Sequence, residues 1–255
     1  MIVPRLKGGL GNQMFQIAAA YAQSKIIGTD FAINYNLVTS LGAGNKCNHY
    51  KNTLYKNIPE TNYIPSNVYN EPNFSYNKIT DSKDLLLDGY FQSEKYFKDF
   101  KSDLKNLFEF PINITDRVDS RIKSINSDII TLHVRRGDYL ASSKIHIPIT
   151  VDYYDKALKA INNNSALKIL ATDDINIVSR EFKDIINYIY SNGRSELEDL
   201  YILTKGKYFI GCNSSFSWWA AYLGDFDKIF FPKVWFGEDG PQDYNDVYNS
   251  NFIKI

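Results

Sequence analysis

Residues 129–139 read Ile129-Ile130-Thr131-Leu132-His133-Val134-Arg135-Arg136-Gly137-Asp138-Tyr139. The first four are apolar or β-branched, the composition of a buried strand. The strand's carboxyl end then carries an imidazole, two adjacent guanidiniums and a carboxylate. Open parallel sheets hold their ligands at that end. Two fixed positive charges repel unless an anion lies between them, and arginine's planar fork matches phosphate oxygens. The stretch therefore reads as a parallel strand ending in a phosphate or diphosphate site. The plainer alternative is a surface salt bridge in which Asp138 neutralises an arginine.

Outward from this strand the second half of the chain alternates. Val151–Ile161 has the helical period, with Ala157, Leu158 and Ile161 on one side. Lys168–Thr172 is a second strand and runs into Asp173-Asp174. Ile175–Phe182 fits a short helix and Ile185–Tyr190 a third strand. Ser195 and Glu198 have capping-box spacing and open another helix, with Leu197, Leu200, Tyr201 and Thr204 as its face. Tyr208–Cys212 is a strand, Phe216–Leu223 a helix and Ile229–Phe231 the final strand. Such alternation predicts a parallel, Rossmann-like sheet.

The first half is less regular. Ile2–Leu6 reads as a strand, Gly8-Gly9-Leu10-Gly11 as a loop and Gln13–Ile27 as a helix. Phe31–Tyr35 is a second strand. Residues 36–80 are rich in Asn, Tyr and Pro and read as long loops. Leu85–Tyr90 is a strand, Lys95–Phe110 a helix, and Pro111–Thr115 opens a linker. The domain boundary is expected near residues 112–126, giving an N-terminal lobe of 1–120 and a C-terminal lobe of 121–255.

Composition narrows the function. The chain has 255 residues, 44% hydrophobic and 23% charged, which is globular. A formal net charge of +0 argues against bulk electrostatic binding to nucleic acid, so any anion site is local. The 19 Tyr and 16 Phe suit sugar or base contacts as well as ordinary packing. Cys47 and Cys212 lack metal-site spacing, and His49, His133 and His146 form no zinc pattern. Neither a secretory signal nor a membrane-spanning stretch is evident, so a cytoplasmic protein is expected, with any membrane association peripheral.

Four other segments carry chemistry. Gly8-Gly9-Leu10-Gly11-Asn12-Gln13 joins a strand to a helix and offers backbone N–H groups to an anion. It is neither a dinucleotide fingerprint, since Met14 stands where the third glycine belongs, nor a P-loop. A tight turn is the alternative, and Asn12 and Gln13 tilt the reading toward a ligand. Asp173-Asp174 reads as a metal pair, as acceptors for a base or ribose, or as a helix cap. No further carboxylate or histidine completes a metal site. Gly211-Cys212-Asn213-Ser214-Ser215-Phe216-Ser217-Trp218-Trp219 makes a second phosphate cradle at a helix start, with the tryptophans as core. It lacks the nucleophile elbow of a hydrolase. Gly89-Tyr90-Phe91-Gln92-Ser93-Glu94 closes a strand and is either an ordinary junction or an acceptor site.

In this order GGLGNQMFQ, GYFQSEKYF, HVRRGDY, ATDD and DLYILTKGKYFIGCNSSFSWWAAYL resemble the bacterial α-1,2-fucosyltransferases, glycosyltransferase family 11. The likeness covers most of the chain and thins through 36–80. It implies a GT-B-type α/β fold, two Rossmann-like lobes with the active site in the cleft between them. The substrate it implies is GDP-β-L-fucose, held mainly by the C-terminal lobe, with no cofactor and no metal. The acceptor it implies is a β-galactoside-containing glycan, either free or lipid-linked at the membrane face.

The resemblance also distributes roles. Arg135 clamps the β-phosphate, where charge develops as the fucosyl bond breaks, and Arg136 supports it. Asn12 and Asp138 join Arg135 as catalytic. Asp138 is either a general base or merely the partner of an arginine, with Glu94 and His146 as other candidate bases. His133 and Asp173 face the guanine. Asn213, Ser214, Ser215 and Phe216 cradle the diphosphate, and Gly9, Gly11 and Gln13 reach the donor from the other lobe. Tyr90, Gln92 and Glu94 take the acceptor. The alternatives are a GDP-sugar transferase of another linkage or acceptor and a non-catalytic nucleotide- or glycan-binding protein. A kinase or phosphatase is disfavoured, with no P-loop and no nucleophile.

Overall fold

The computed structural model describes residues 1–37, 45–185, 187–189 and 195–255. Part of the irregular stretch, 38–44, and residues 186 and 190 of the expected strand 185–190 lie outside them. The chain forms two compact units. One holds Met1–Glu109 and Pro241–Asn249, the other Phe110–Gly240 and Ser250–Ile255. The division therefore falls at 109/110 rather than 120, and residues 241–249 belong to the first unit.

Both differences have local causes. Residues read as a linker form a helix, Ile112–Ile122, that buries Ile114 and Val118. Its polar side is pinned as well: Tyr201 donates to Asp119 at 3.0 Å and Arg117 lies 3.3 Å from Glu198. The returning segment is held by carboxylates. Asp243 accepts from the amides of Phe74 and Ser75, and Asp246 from the amide of Tyr76 and from Lys95 Nζ.

In the first unit the elements are β1 (Ile2–Pro4), α1 (Leu10–Ile27), β2 (Val68–Asn70), β3 (Leu85–Asp88) and α2 (Lys101–Leu107). The sheet is parallel, in the order β1-β3-β2. The strand expected at Phe31–Tyr35 shrinks to two isolated bridges, Ile2 to Phe31 and Ile33 to Glu60. β2 escapes sequence reading because its three residues are largely exposed and carry no apolar alternation. The helix expected over Lys95–Phe110 is broken into short 3-10 turns before α2. Phe97 leaves the helical region (φ −144°, ψ 19°) and buries its ring against Phe15, 6.0 Å away. α1 carries Ala18, Ala19 and Ala20, all fully buried. Consecutive helical residues point in different directions, so the middle of this helix is enclosed on every side, while Lys25 and Ile26 at its end are exposed.

The second unit continues with α3 (Ile112–Ile122), β4 (Ile129–Val134), α4 (Gly137–Ala141), α5 (Val151–Ile161), β5 (Leu167–Thr172), α6 (Ile175–Glu181), β6 (Tyr188–Ile189), α7 (Glu196–Leu203), β7 (Tyr208–Ile210), α8 (Ser215–Leu223), β8 (Lys228–Phe231) and β9 (Phe252–Lys254). Its six strands are all parallel, in the order β6-β5-β4-β7-β8-β9. The chain winds outward from β4 through β5 and β6, then crosses to β7 and winds the other way. The reversal between β4 and β7 is the topological switch point of a doubly wound sheet. β9 extends the sheet beyond the strand expected to be last, and only its Phe252 is buried.

Both faces of this sheet are covered. Ile130, Leu132 and Val134 pack with Tyr153, Tyr154, Ala157, Val178 and Phe182. Thr131, one residue out of phase, donates to Leu203 O at 2.8 Å on the α7 side. Each fully buried aliphatic side chain contributes roughly 1.5–3 kcal/mol. Trp218 and Trp219 are fully buried, as expected of core residues. Among the described residues no helix is long and apolar enough to cross a membrane.

Candidate functional site at the switch point

Strand parity places the two arginines. Along β4 the even residues face α5 and α6, while Thr131 and His133 face α7 and α8. The same alternation, carried two residues further, puts Arg135 with His133 and sends Arg136 the other way. Arg136 is only 3% exposed; its guanidinium lies 5.6 Å from the Phe182 ring and its Nε donates to Glu181 at 2.8 Å. Arg136, expected to support the donor site, thus has its guanidinium on Glu181 and on Arg135 O inside the lobe.

Arg135 is held by carboxylates instead. Its Nη2 lies 2.8 Å from Asp138 Oδ1 and its Nε 3.0 Å from Asp173 Oδ2. Nη1 makes no hydrogen bond among the described residues. The two carboxylates hold the guanidinium above its ordinary pKa even though burial opposes this. Asp173 also accepts from Arg136 N at 2.8 Å. Gly137 must be small here, because a Cβ would lie 2.6 Å from Asp173 Oδ2. Asp173, expected to face a base, has one oxygen on the turn and the other on Arg135. Asp174 is the cap of α6, accepting from Ile177 N at 3.0 Å. Among the described residues no three His, Cys, Asp or Glu side chains are placed to hold a metal ion.

A cavity of about 620 Å³ opens beside Arg135, lined by His133, Thr172 to Asn176, Glu196, Asp199 and Phe216 as well. Its size is within the range of small-molecule sites, roughly 300–1,000 Å³. His133 is 4% exposed, with its ring 5.0 Å from that of Phe216. Burial, then the charge of Arg135, pushes its pKa down to about 3, so the ring is neutral near pH 7. In sequence, Thr172, Asn176, Glu196 and Asp199 read only as parts of a strand or a helix, not of a site. Their signal is positional: the carboxyl end of β5 and the first turns of α6 and α7 surround the switch point.

The residues of the expected phosphate cradle after β7 take different places. Asn213 is buried and its Nδ2 donates to Ile147 O and Trp235 O, at 3.0 and 2.9 Å, so it ties two loops together. Ser214 caps α8, its Oγ accepting from Phe216 N. Ser215 is half-buried at the start of α8, and Phe216 lines the cavity. Tyr139, stacked on His146 at 4.7 Å, donates to Asn213 O at 2.8 Å and packs against Arg135.

The first unit gathers a second polar group. Gly8 has φ +76°, where a Cβ would also lie 2.4 Å from Asn12 Nδ2. Gly9 is the N-cap of α1, so Leu10 and Gly11, expected in the loop, join Asn12 in its first turn. Gln13 is buried; its Nε2 donates to Gly8 O and Asn45 O, and its Oε1 accepts from Tyr55 at 3.2 Å. Gln13, expected at the donor, has its amide on the turn. Asn12 Oδ1 accepts from Gln92 Nε2 at 2.8 Å, joining two residues expected in different subsites. Lys7 lies over the Tyr90 ring at 4.9 Å and pairs with Asp88. Glu71, unread in sequence, accepts from the amides of Tyr90 and Phe91 and anchors Phe91 in the left-handed region at φ +53°. Burial holds the Glu71 and Glu94 carboxyls above their usual range.

The chain is similar to known proteins. A relative at 30% identity, covering 92% of this chain and 92% of its own, is an alpha-1,2-colitosyltransferase of Escherichia coli. Another at 28%, covering 91% and 93%, is the O-antigen biosynthesis glycosyltransferase WbnK of Escherichia coli. Among solved structures, the fucosyltransferase NodZ from Bradyrhizobium superposes with a TM-score of 0.57 at 15% identity, covering 88% of this chain and 93% of its own. POFUT1 in complex with GDP-fucose gives 0.55 at 10%, covering 89% and 96%. These structures share the fold, two Rossmann-like lobes of the GT-B type. The model of the family described as glycosyl transferase family 11 matches residues 2–254. With that match over nearly its whole length, the chain belongs to glycosyl transferase family 11.

Proposed function

We propose that this glycosyltransferase moves L-fucose, with inversion and without a metal, from GDP-β-L-fucose to the 2-hydroxyl of a terminal galactoside in a surface glycan. The observation that carries the reading is Arg135, fixed by Asp138 and Asp173 at the wall of a switch-point cavity. When the fucosyl–oxygen bond breaks, negative charge grows on the β-phosphate. A guanidinium already held in place stabilises that charge without reorganising, so it acts most strongly in the transition state. His133 and Phe216 supply a neutral polar group and a ring face for the nucleotide. The contact of Asp138 with Arg135 favours an orienting role for it. Glu94 is another candidate for the base that deprotonates the acceptor hydroxyl.

One observation favours a second donor. The 30%-identical relative is named as a colitosyltransferase. The test is transfer by purified protein in EDTA, with GDP-fucose, GDP-colitose and GDP-mannose each offered with lactose. The expected result is a lactose-dependent fucoside from GDP-fucose at full rate in EDTA. Preference for GDP-colitose moves the donor, and loss of rate in EDTA overturns the metal-free reading.

A further inference from the structure

Ser217 lies beneath the cavity and is fully buried in the first turn of α8. Its Oγ is 2.6 Å from His133 Nδ1 and accepts from Cys212 N at 3.1 Å. Cys212 Sγ is 3.3 Å from the same oxygen and 3.5 Å from the same nitrogen. The hydroxyl has one proton to give, and two arrangements are open. In the first the serine donates to Nδ1, and the histidine proton sits on Nε2. In the second Nδ1–H donates to the serine, whose own proton is left to the thiol sulfur. Sulfur is a weak acceptor and a neutral imidazole nitrogen a strong one. The short 2.6 Å contact goes to the nitrogen. Burial also pushes the Cys212 thiol up to about 11, so it keeps its proton and cannot act as a thiolate acceptor.

We infer that Ser217 is a positioning residue: its hydroxyl donates to His133 Nδ1, fixes the Nε2–H tautomer, and so makes His133 a standing hydrogen-bond donor to an acceptor oxygen of the bound nucleotide. Nε2 makes no hydrogen bond among the described residues, and the ring forms part of the cavity wall. Tyr154 donates to His133 O at 2.8 Å and fixes the backbone, so the ring is set from both ends. His133 then stands on the same side of the strand end as Arg135 as a neutral donor beside a charged one. Neither group needs to move a proton during transfer. The nucleotide half of the inference rests on the donor reading above; the tautomer half does not.

The chain has three histidines, so one 15N-histidine-labelled sample gives a readable long-range 1H–15N spectrum. The His133 signal, assigned by its loss in His133→Asn, is expected to show a protonated Nε2 and a bare Nδ1 in the free protein at pH 7. GDP is expected to shift Nε2 and leave Nδ1 little changed. In Ser217→Ala the tautomer should become mixed and GDP affinity by calorimetry should fall about tenfold, the scale of one lost hydrogen bond to a charged group. His133→Gln, which reaches as far as Nε2, should bind GDP more tightly than His133→Asn. An Nδ1–H tautomer in the native protein overturns the inference, as does an unchanged tautomer in folded Ser217→Ala. The expected tautomer with no GDP binding at all sinks the nucleotide reading instead and leaves the serine–histidine assignment standing.

Discussion

Two strand ends carry polar clusters, one in each unit, and they use those groups differently. At the end of β1 the glycine turn bonds to itself: Gln13 closes onto Gly8 O, and Gln16 takes both the N–H and the C=O of Lys7. At the end of β4 the backbone is met by side chains from other elements, Tyr154 on His133 O and Asp173 on Arg136 N. Its side chains are held by each other, with Arg135 between two carboxylates. A turn made of glycines needs nearby amides to fix it, whereas a turn next to a six-stranded sheet is already rigid and can leave a charge poised. Equal polarity at two strand ends therefore does not mean equal function. The partners decide, and each side of the contrast can be tested.

The largest expected effect belongs to Arg135. Arg135→Ala should lower kcat/KM by at least about 100-fold, on the order of 3 kcal/mol, the cost of removing one preorganised transition-state partner. Arg135→Lys should recover little, since an ammonium cannot hold Asp138 and Asp173 with the same fork. Thermal unfolding should barely move, because the residue is not in the packed core. Steady-state kinetics beside a melting curve decides it, and a mutant with half the native rate removes the central role.

Gln13→Ala should show the opposite pattern. Its amide serves Gly8 O, Asn45 O and Tyr55 OH, so truncation leaves buried partners unsatisfied and should cost about 2–3 kcal/mol of stability. GDP affinity of the folded protein should stay near native. Loss of affinity without loss of stability would return Gln13 to the ligand side and erase the contrast between the two strand ends.

That contrast also marks how far the sequence can be read. The alternation from Ile129 to Phe231 predicts the doubly wound sheet, and the capping box at Ser195 is present as spaced. Both are local properties: apolar period and side-chain-to-amide bonding act within a few residues. β2 and β9 are not legible, because three-residue edge strands are made by pairing with distant chain rather than by their own pattern. The return of 241–249 to the first unit is equally long-range. In the site, Arg135 and Arg136 are adjacent in sequence and only the parity of β4 tells them apart. For Asn213 the carbonyls that its Nδ2 meets, Ile147 O and Trp235 O, are distant in sequence and leave no local signal.

A pH experiment sharpens the second strand end. The folded-state pKa of His133, about 3, lies below its ordinary 6.5, so the unfolded chain binds the proton more readily in between. The contribution of neutral His133 is therefore fully present above about pH 6.5 and is lost as pH falls toward about 3. Chemical denaturation across that window should show a shallower decline in His133→Gln than in the native protein. Parallel curves would mean that His133 is not held neutral by its surroundings, and would put the serine–histidine pair in doubt too.

The smallest effect expected is at Ser195. Its Oγ accepts from Glu198 N, and the Glu198 side chain returns to the Ser195 amide, so two orphan donors of α7 are satisfied together. Ser195→Ala should cost about 1 kcal/mol, the usual loss of an N-cap. Yet Glu196 and Asp199, in the same first turn, line the cavity beside Arg135. If α7 is rigid from its packing on the sheet, the variant melts slightly earlier and binds GDP as before. If the first turn frays without its cap, GDP affinity falls together with stability, and α7 becomes a second support for the nucleotide rather than a passive wall. Packing favours the first outcome: Leu197 and Leu200 are buried on either side of Glu198 and hold the turn even when one cap bond is gone.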